Sequence, residues 1–432
     1  MPSTCASQNL YAALRDMSLE EDTSDQTTSS SDNRVLCNAD ADNVEKNEED
    51  SDQDLEIATT TFDLLSLEDK HEQESIFTRE LLQRIAADVS YITSEQIKPK
   101  GQRGHGHLEY ELPNGQVMTI WKRVGCADSV TIHYLTRVEM HPDFRKRFGT
   151  DHDRTILQRK MNPDIAEEDF HNHVAPYFVE SWRRAQGTTH LQPSLMASWR
   201  KKLHATQKLW KASASCTRLL DTIEGGVAML NNPITKIVCI GLGKLNARPE
   251  WYQAALQHMT VFSIAATLQA YNKAEYPGCK DLRIIAQDPC CEDKDRVLLQ
   301  ELTPTPTTFT HDDPATLLAI DASTLVVSAF LPTSMPLVQI VADMFADREK
   351  GPGMMLWDRI EGMRMGKRWY CLRYRDSPSV PRFLDGYVRW RNGFGELDEC
   401  VMKDVRGDED EEEGKHWRYW LNDMDLWVRM DG

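Results

Sequence analysis

Ten residues, Lys236 to Leu245, constrain this chain more than any other stretch. They read KIVCIGLGKL, an unbroken apolar run from Ile237 to Ile240 that leads directly into Gly241-Leu242-Gly243. An apolar run without alternation suits a strand covered on both faces, as in a parallel sheet. Pro249 and the apolar stretch EWYQAALQHMTVFSIAATLQAY follow, which predicts a helix. Proline is tolerated in a first helical turn, because its missing N–H has no partner there in any case. Strand, glycine turn and helix in this order let a ligand approach the backbone closely, with helix N–H groups aimed at it. The third glycine of the dinucleotide fingerprint is absent, and Asn246 stands where it would fall.

The same alternation continues downstream. DLRIIAQDP reads as a second strand ending on Asp288, the position from which doubly wound proteins hold ribose hydroxyls. Its spacing from the glycines is about twice the usual twenty residues. A turn and helix start at Asp288-Pro289 is the alternative. Asp312 or Asp313 caps a helix with Pro314 just inside it. Thr324 to Phe330 reads as a buried strand, PLVQIVADMF as an amphipathic helix and GMMLWDRI as a further strand. Residues 236–359 therefore predict a Rossmann-like α/β domain, a doubly wound and mostly parallel sheet with helices on both faces. Gly241, Gly243 and Asp288 are its candidate cofactor-binding residues.

KIVCIGLGKL, the Asp288-Pro289 pair and STLVVSAFLPTSMPLVQIVADM together resemble the sensitivity-to-red-light-reduced (SRR-like) domain family. The resemblance runs from about Pro233 to Ile360 and is supported by the Trp-containing helix before it. Gly241, Gly243, Tyr252, Gln253, Asp288 and Pro289 match the family's motif positions. Where better-matching members carry an MPHC-like motif, this chain has Phe330-Leu331-Pro332-Thr333-Ser334, without His or Cys, which suggests a divergent branch. The resemblance implies an intracellular regulatory role, such as circadian and light signalling or control of haem biosynthesis, acting through protein partners. No enzymatic reaction is firmly attached to the fold.

Two further functions stand beside that one. A nucleotide-cofactor enzyme would use an adenosyl or nucleotide-type small molecule, with an S-adenosylmethionine-dependent methyltransferase ahead of an NAD enzyme because the third glycine is missing. Its strand tips offer Asp288, Ser328, Thr333 and Ser334, without a clear base and nucleophile pair. A haem binder would be expected to show CxxCH or an axial pair, and neither is evident.

Around this core the chain divides into a Ser/Thr-rich acidic tail over 1–61, a small α+β module over 75–150, and the Rossmann-like domain over 193–432. That domain includes a helical lead-in and a C-terminal extension. The tail has too little apolar surface to offset its ordering entropy, so disorder is expected. Within it, Leu10, Leu14 and Met17 could line a transient helix. In the module, Ile76, Leu81, Leu82, Ile85 and Val89 share one helix face. HLEYELPNGQVMTIW then predicts a hairpin turning at Pro113-Asn114-Gly115, and SVTIHYLTRVEM a third strand. WRYWLNDMDLWVRM is too apolar for a free tail and is expected to return as strand or helix.

Charge and cysteine usage narrow the function further. A net charge of −18 argues against general nucleic-acid or anionic-membrane binding. The basic stretch Trp182–Lys211 reads first as a solvated helix face and second as a surface for an anionic partner. Ten cysteines without a CxxC pair suit a reducing compartment, cytoplasmic or nuclear. Cys239 reads as a small buried hydrophobe, and Cys290-Cys291 lacks the second pair that a zinc site needs. His105 with His107, and His171 with His173, have no companion ligands in sequence and read as loop histidines. The acidic run DEDEEE reads as a solvated loop. No metal is expected, and no run approaches the length of a membrane span.

Overall fold

The computed structural model describes residues 75–96, 98, 106–111, 117–122, 129–135, 176–182, 192–245, 251–310, 314–329, 331, 335–346, 351–359, 379–394 and 420–431. The acidic tail, the 113–115 turn, His105, the HNH segment, Pro249, Asp312, Asp313, Thr333, Ser334 and DEDEEE lie outside these residues.

The centre of the molecule is a seven-stranded sheet. Its strands are β5 (Lys236–Ile240), β6 (Arg283–Gln287), β7 (Thr307–Thr310), β8 (Thr324–Ser328), β9 (Met354–Asp358), β10 (Tyr387–Asn392) and β11 (Met424–Arg429). They lie side by side in the order β10-β11-β9-β8-β5-β6-β7. β7, β6, β5, β8 and β9 are parallel, whereas β11 runs antiparallel to both its neighbours. Every residue of β5 and β8 is buried, which is why their apolar runs show no alternation. β8 ends at Ser328, two residues short of the expected Phe330.

Two helical layers cover this sheet. On one side lie α2 (Pro193–Ala212), α3 (Ala214–Val227), α4 (Trp251–Glu275) and α5 (Asp293–Gln300). On the other lie α1 (Arg79–Gln96), α6 (Pro314–Leu318), α7 (Leu337–Met344) and α8 (Ser379–Leu384). Right-handed crossovers demand this division. The path β5→β6→β7 moves towards one edge and β8→β9 towards the other, so their helices fall on opposite faces.

α4 is buried at every position from Ala255 to Ala265, because α2 and α3 pack along it in addition to the sheet. Its buried polar groups are bonded accordingly. Trp210 Nε1 donates to Ser263 Oγ at 3.0 Å, and Ser263 donates in turn to the Met259 carbonyl. α7 departs from the amphipathic expectation, since seven of its eight residues are buried, including Gln339 and Asp343. The chain before α1 covers its polar side. Ile76 and Phe77 both donate their backbone N–H to Asp343 Oδ2, at 3.0 and 3.3 Å.

The N-terminal elements join the same core. On α1, Leu81, Leu82 and Ile85 are buried, and Ile76 and Val89 pack against that core. Arg79 donates to the carbonyls of Leu318 and Ile320, at 3.2 and 2.7 Å, with its guanidinium 4.8 Å over the Phe345 ring. The expected hairpin is present as β1 (Gly106–Glu111) paired antiparallel with β2 (Val117–Lys122). The third strand, β3 (Ser129–Tyr134), pairs with β4 (Tyr177–Trp182), some forty residues further on. Phe77 meets Tyr134 edge-on at 5.8 Å, which ties that pair to the start of α1.

The C-terminal stretch returns as a 3-10 turn (Trp420–Asp423) and then as β11, buried along its whole length between β9 and β10.

Candidate functional site

β5 is the point where the sheet changes direction: the loop after it leads to α4 on one face, while the loop after its neighbour β8 leads to α7 on the other. A crevice is expected there, outside the carboxyl ends of the strands. The structure brings Gly241, Gly243 and Asp288 together at this place.

Both glycines have positive φ, 74° at Gly241 and 80° at Gly243, a conformation that side chains disfavour. Gly241 donates its N–H to the Gln287 carbonyl at 2.9 Å, extending the β5–β6 ladder by one bond. Gly243 is held through both of its backbone polar groups. Its N–H donates to Asp288 Oδ2 at 2.7 Å, and its carbonyl accepts from His258 Nε2 at 3.0 Å.

The second oxygen of Asp288 accepts from the Cys290 N–H at 2.8 Å, the local turn that an Asp two residues upstream favours. Asp288 thus starts the next turn, the alternative reading of the sequence, with the same carboxylate that holds the Gly243 N–H. Burial raises its pKa, while the amides of Cys290 and Gly243 and the nearby Lys244 act in the opposite direction. His258 lies two turns inside α4, buried, with its ring 6.3 Å from that of Phe262. Burial pushes it down to about 4, so at neutral pH it is uncharged and carries its proton on Nε2 towards the Gly243 carbonyl.

The space over the turn is also taken. A Cβ on Gly241 would stand 2.2 Å from Leu331 Cδ2, and one on Gly243 would stand 3.2 Å from the Ala254 Cβ. Leu331 is itself buried and belongs to the loop after β8, the segment that replaces the MPHC-like motif. Gly241 thus answers to a leucine from across the switch point, and Gly243 to the close approach of α4.

Around the turn lies a charged rim. Lys244 Nζ is 3.5 Å from Glu292, which also meets Lys294 at 3.2 Å. Asp295, fully buried, accepts from the Glu292 N–H through Oδ2 at 2.8 Å. Burial pushes its pKa up to about 7. Cys291 is buried beside Asp295 and Asp288 and is pushed up to about 12, which makes it an unreactive thiol. Cys239 is buried as expected.

Ser328 at the tip of β8 is buried. The backbone of Tyr252 and Gln253 lies in the first turn of α4. Among the described residues no three metal-ligating side chains gather, and no helix is long and apolar enough to cross a membrane.

Two residues of this site escape the sequence reading. His258 left one signal, a lone imidazole inside an otherwise apolar helix. Leu331 left none, because its role depends on a contact between loops ninety residues apart.

The fold and the turn define a class: a three-layer α/β protein of Rossmann type whose glycine turn is closed by the protein's own groups. Comparison by sequence names the family. The model of the SRR1 domain matches residues 201–426, more than half of the chain, and the chain belongs to the SRR1 domain family. The match extends beyond Pro233–Ile360 on both sides, from within α2 to within β11. No curated protein and no solved structure matches the chain.

Proposed function

We propose that this SRR1-domain protein is a non-catalytic regulator that works through protein partners in the cytoplasm or nucleus. Circadian or light signalling and control of haem biosynthesis are the roles its family resemblance suggests. One observation carries the non-catalytic part. At the switch point, the groups a cofactor would engage already serve the fold: the Gly243 N–H is on Asp288, its carbonyl on His258, and Leu331 lies over Gly241. A phosphate would also meet the Asp288 carboxylate where it needs a free N–H. The described cysteines are all free, which fits a reducing compartment.

The enzyme reading draws on one feature of the sheet. Counting only the strands from β5 onward, the order is 3-2-1-4-5-7-6 with the seventh reversed, an arrangement shared with adenosylmethionine-dependent methyltransferases. That is an analogy of fold, and fold alone does not carry function. An adenosyl ligand would need Leu331 displaced and would use the outward lone pairs of Asp288 for its ribose.

Thermal-shift titration of the full chain with S-adenosylmethionine, S-adenosylhomocysteine, NAD and NADP separates the two. The regulatory reading expects no shift in the wild type. A saturable shift with an adenosyl ligand, lost in Asp288→Asn, overturns it in favour of the enzyme.

A further inference from the structure

α2 is a twenty-residue helix without a single Asp or Glu, in a chain where acidic residues outnumber Lys and Arg by 68 to 50. Its rotation is fixed by one buried side, where Met196, Trp199, Leu203, Thr206 and Trp210 meet the core. Lys202 belongs to the flank, with its stem buried and its ammonium 5.6 Å from the Trp199 ring. Arg200 is neutralised by a two-pronged pair with Glu301, at 2.7 and 2.8 Å.

Opposite the buried side stand Lys201, His204, Lys208 and Lys211, all exposed. The spacing of three, four and three residues keeps them in one row, because a helix turns once in 3.6 residues. At 1.5 Å per residue the row is about 15 Å long. Among the described residues, Lys201, Lys208 and Lys211 make no ion pair. Glu301, the acidic group near His204, is already held by Arg200. A solvated helix in an acidic protein would be expected to intersperse both signs. This one excludes acids from its whole length and keeps its basic row on a rigid, tightly packed support.

We propose that this row is a docking surface for an acidic, extended segment of a partner protein. The geometry fits such a segment. Alternate residues of an extended chain point the same way about 6.6 Å apart, so three acidic side chains at every second position span about 13 Å. A nucleic acid fits less well, since its phosphates would run past the row onto a chain of net charge −18, whereas three carboxylates end within the row. The surface is separate from the glycine turn and is independent of whether that turn binds a ligand.

The test uses the full chain and a fluorescein-labelled decapeptide of alternating Glu and Ser, followed by anisotropy at low and at physiological salt. The wild type binds the peptide with an affinity that falls as salt rises. The triple variant Lys201→Glu, Lys208→Glu, Lys211→Glu loses about ten-fold or more in affinity and stays folded, with its melting midpoint lowered only slightly because Lys211 leaves the last turn of α2. The triple lysine-to-arginine variant retains binding and a normal midpoint. Equal binding by the charge-reversed variant overturns the proposal. So does tighter binding of a single-stranded oligonucleotide of the same charge, which would assign the row to nucleic acid.

Discussion

The carboxyl edge of the sheet contains two tips of opposite character. At the β5/β6 tip the Gly241 N–H, both polar groups of Gly243, both oxygens of Asp288 and Nε2 of His258 are engaged. At the β9/β11 tip burial outruns bonding. The indole nitrogens of Trp357 and Trp427 are buried without a hydrogen-bond acceptor. Asp425, fully buried opposite Trp357, lies 3.7 and 3.5 Å from the Arg359 and Arg389 guanidinium nitrogens. A glycine turn is thus no evidence of an open site when the protein supplies its partners, and an aromatic-rich strand pair can bury donors whose bonds are left unmade. Loss of a polar group should be felt sharply at the first tip, and loss of an indole N–H hardly at all at the second.

The largest effect is expected at Gly241. Valine there combines a positive φ with a Cβ inside the van der Waals shell of Leu331, so Gly241→Val should destabilise by about 3 kcal/mol or more. Adding Leu331→Ala should restore part of that, as read from denaturant midpoints. No restoration would show that the backbone conformation alone requires glycine.

Asp288→Ala comes next. It leaves the Gly243 and Cys290 amides without their anion and should cost about 2–3 kcal/mol, whereas Asp288→Asn, which keeps one acceptor, should cost about half as much. A neutral alanine variant would break the contrast between the two tips.

Asp295 turns the comparison into a pH dependence. Its folded pKa of about 7 lies above the unfolded value near 3.8, so the folded state holds the extra proton between those limits. Stability contributed by that proton is full below about pH 4 and is lost as pH rises towards 7. Asp295→Asn keeps an acceptor for the Glu292 N–H and has no charge to bury. The variant should flatten this slope and gain on the order of 2 kcal/mol over wild type at pH 8. Parallel unfolding curves for the two proteins across pH 4–8 would reject it.

The smallest change belongs to the other tip. Trp357→Phe or Trp427→Phe discards an indole N–H that has no acceptor, and this offsets the lost apolar contact, so each should stay within about 1 kcal/mol of wild type. A loss as large as that of Asp288→Ala would mean that those indoles bond to something after all, and the two tips would no longer differ.

What could be read in the sequence follows physical range. β5, β8 and β9 were legible because strands buried on both faces need uninterrupted apolar residues, and α4 because its length and apolar character admit few alternatives. The pairing of Asp288 with the glycine turn was legible as a consequence of the fold class, since both stand at neighbouring strand tips. α7 misled as an amphipathic helix, because Gln339 and Asp343 look like a wet face until Ile76 and Phe77 arrive from more than 260 residues away.

The sequence by itself determined the parallel core, the glycine turn, the hairpin strands β1 and β2 and the family. Each of these is written in local periodicity or in contiguous motifs. Only the tertiary structure decided that β11 inserts between β9 and β10, and that β3 pairs with β4 across forty residues. It also decided that the turn is closed by His258 and Leu331. These depend on which surfaces meet after long loops close, and neither spacing nor hydrophobic pattern records a partner's identity.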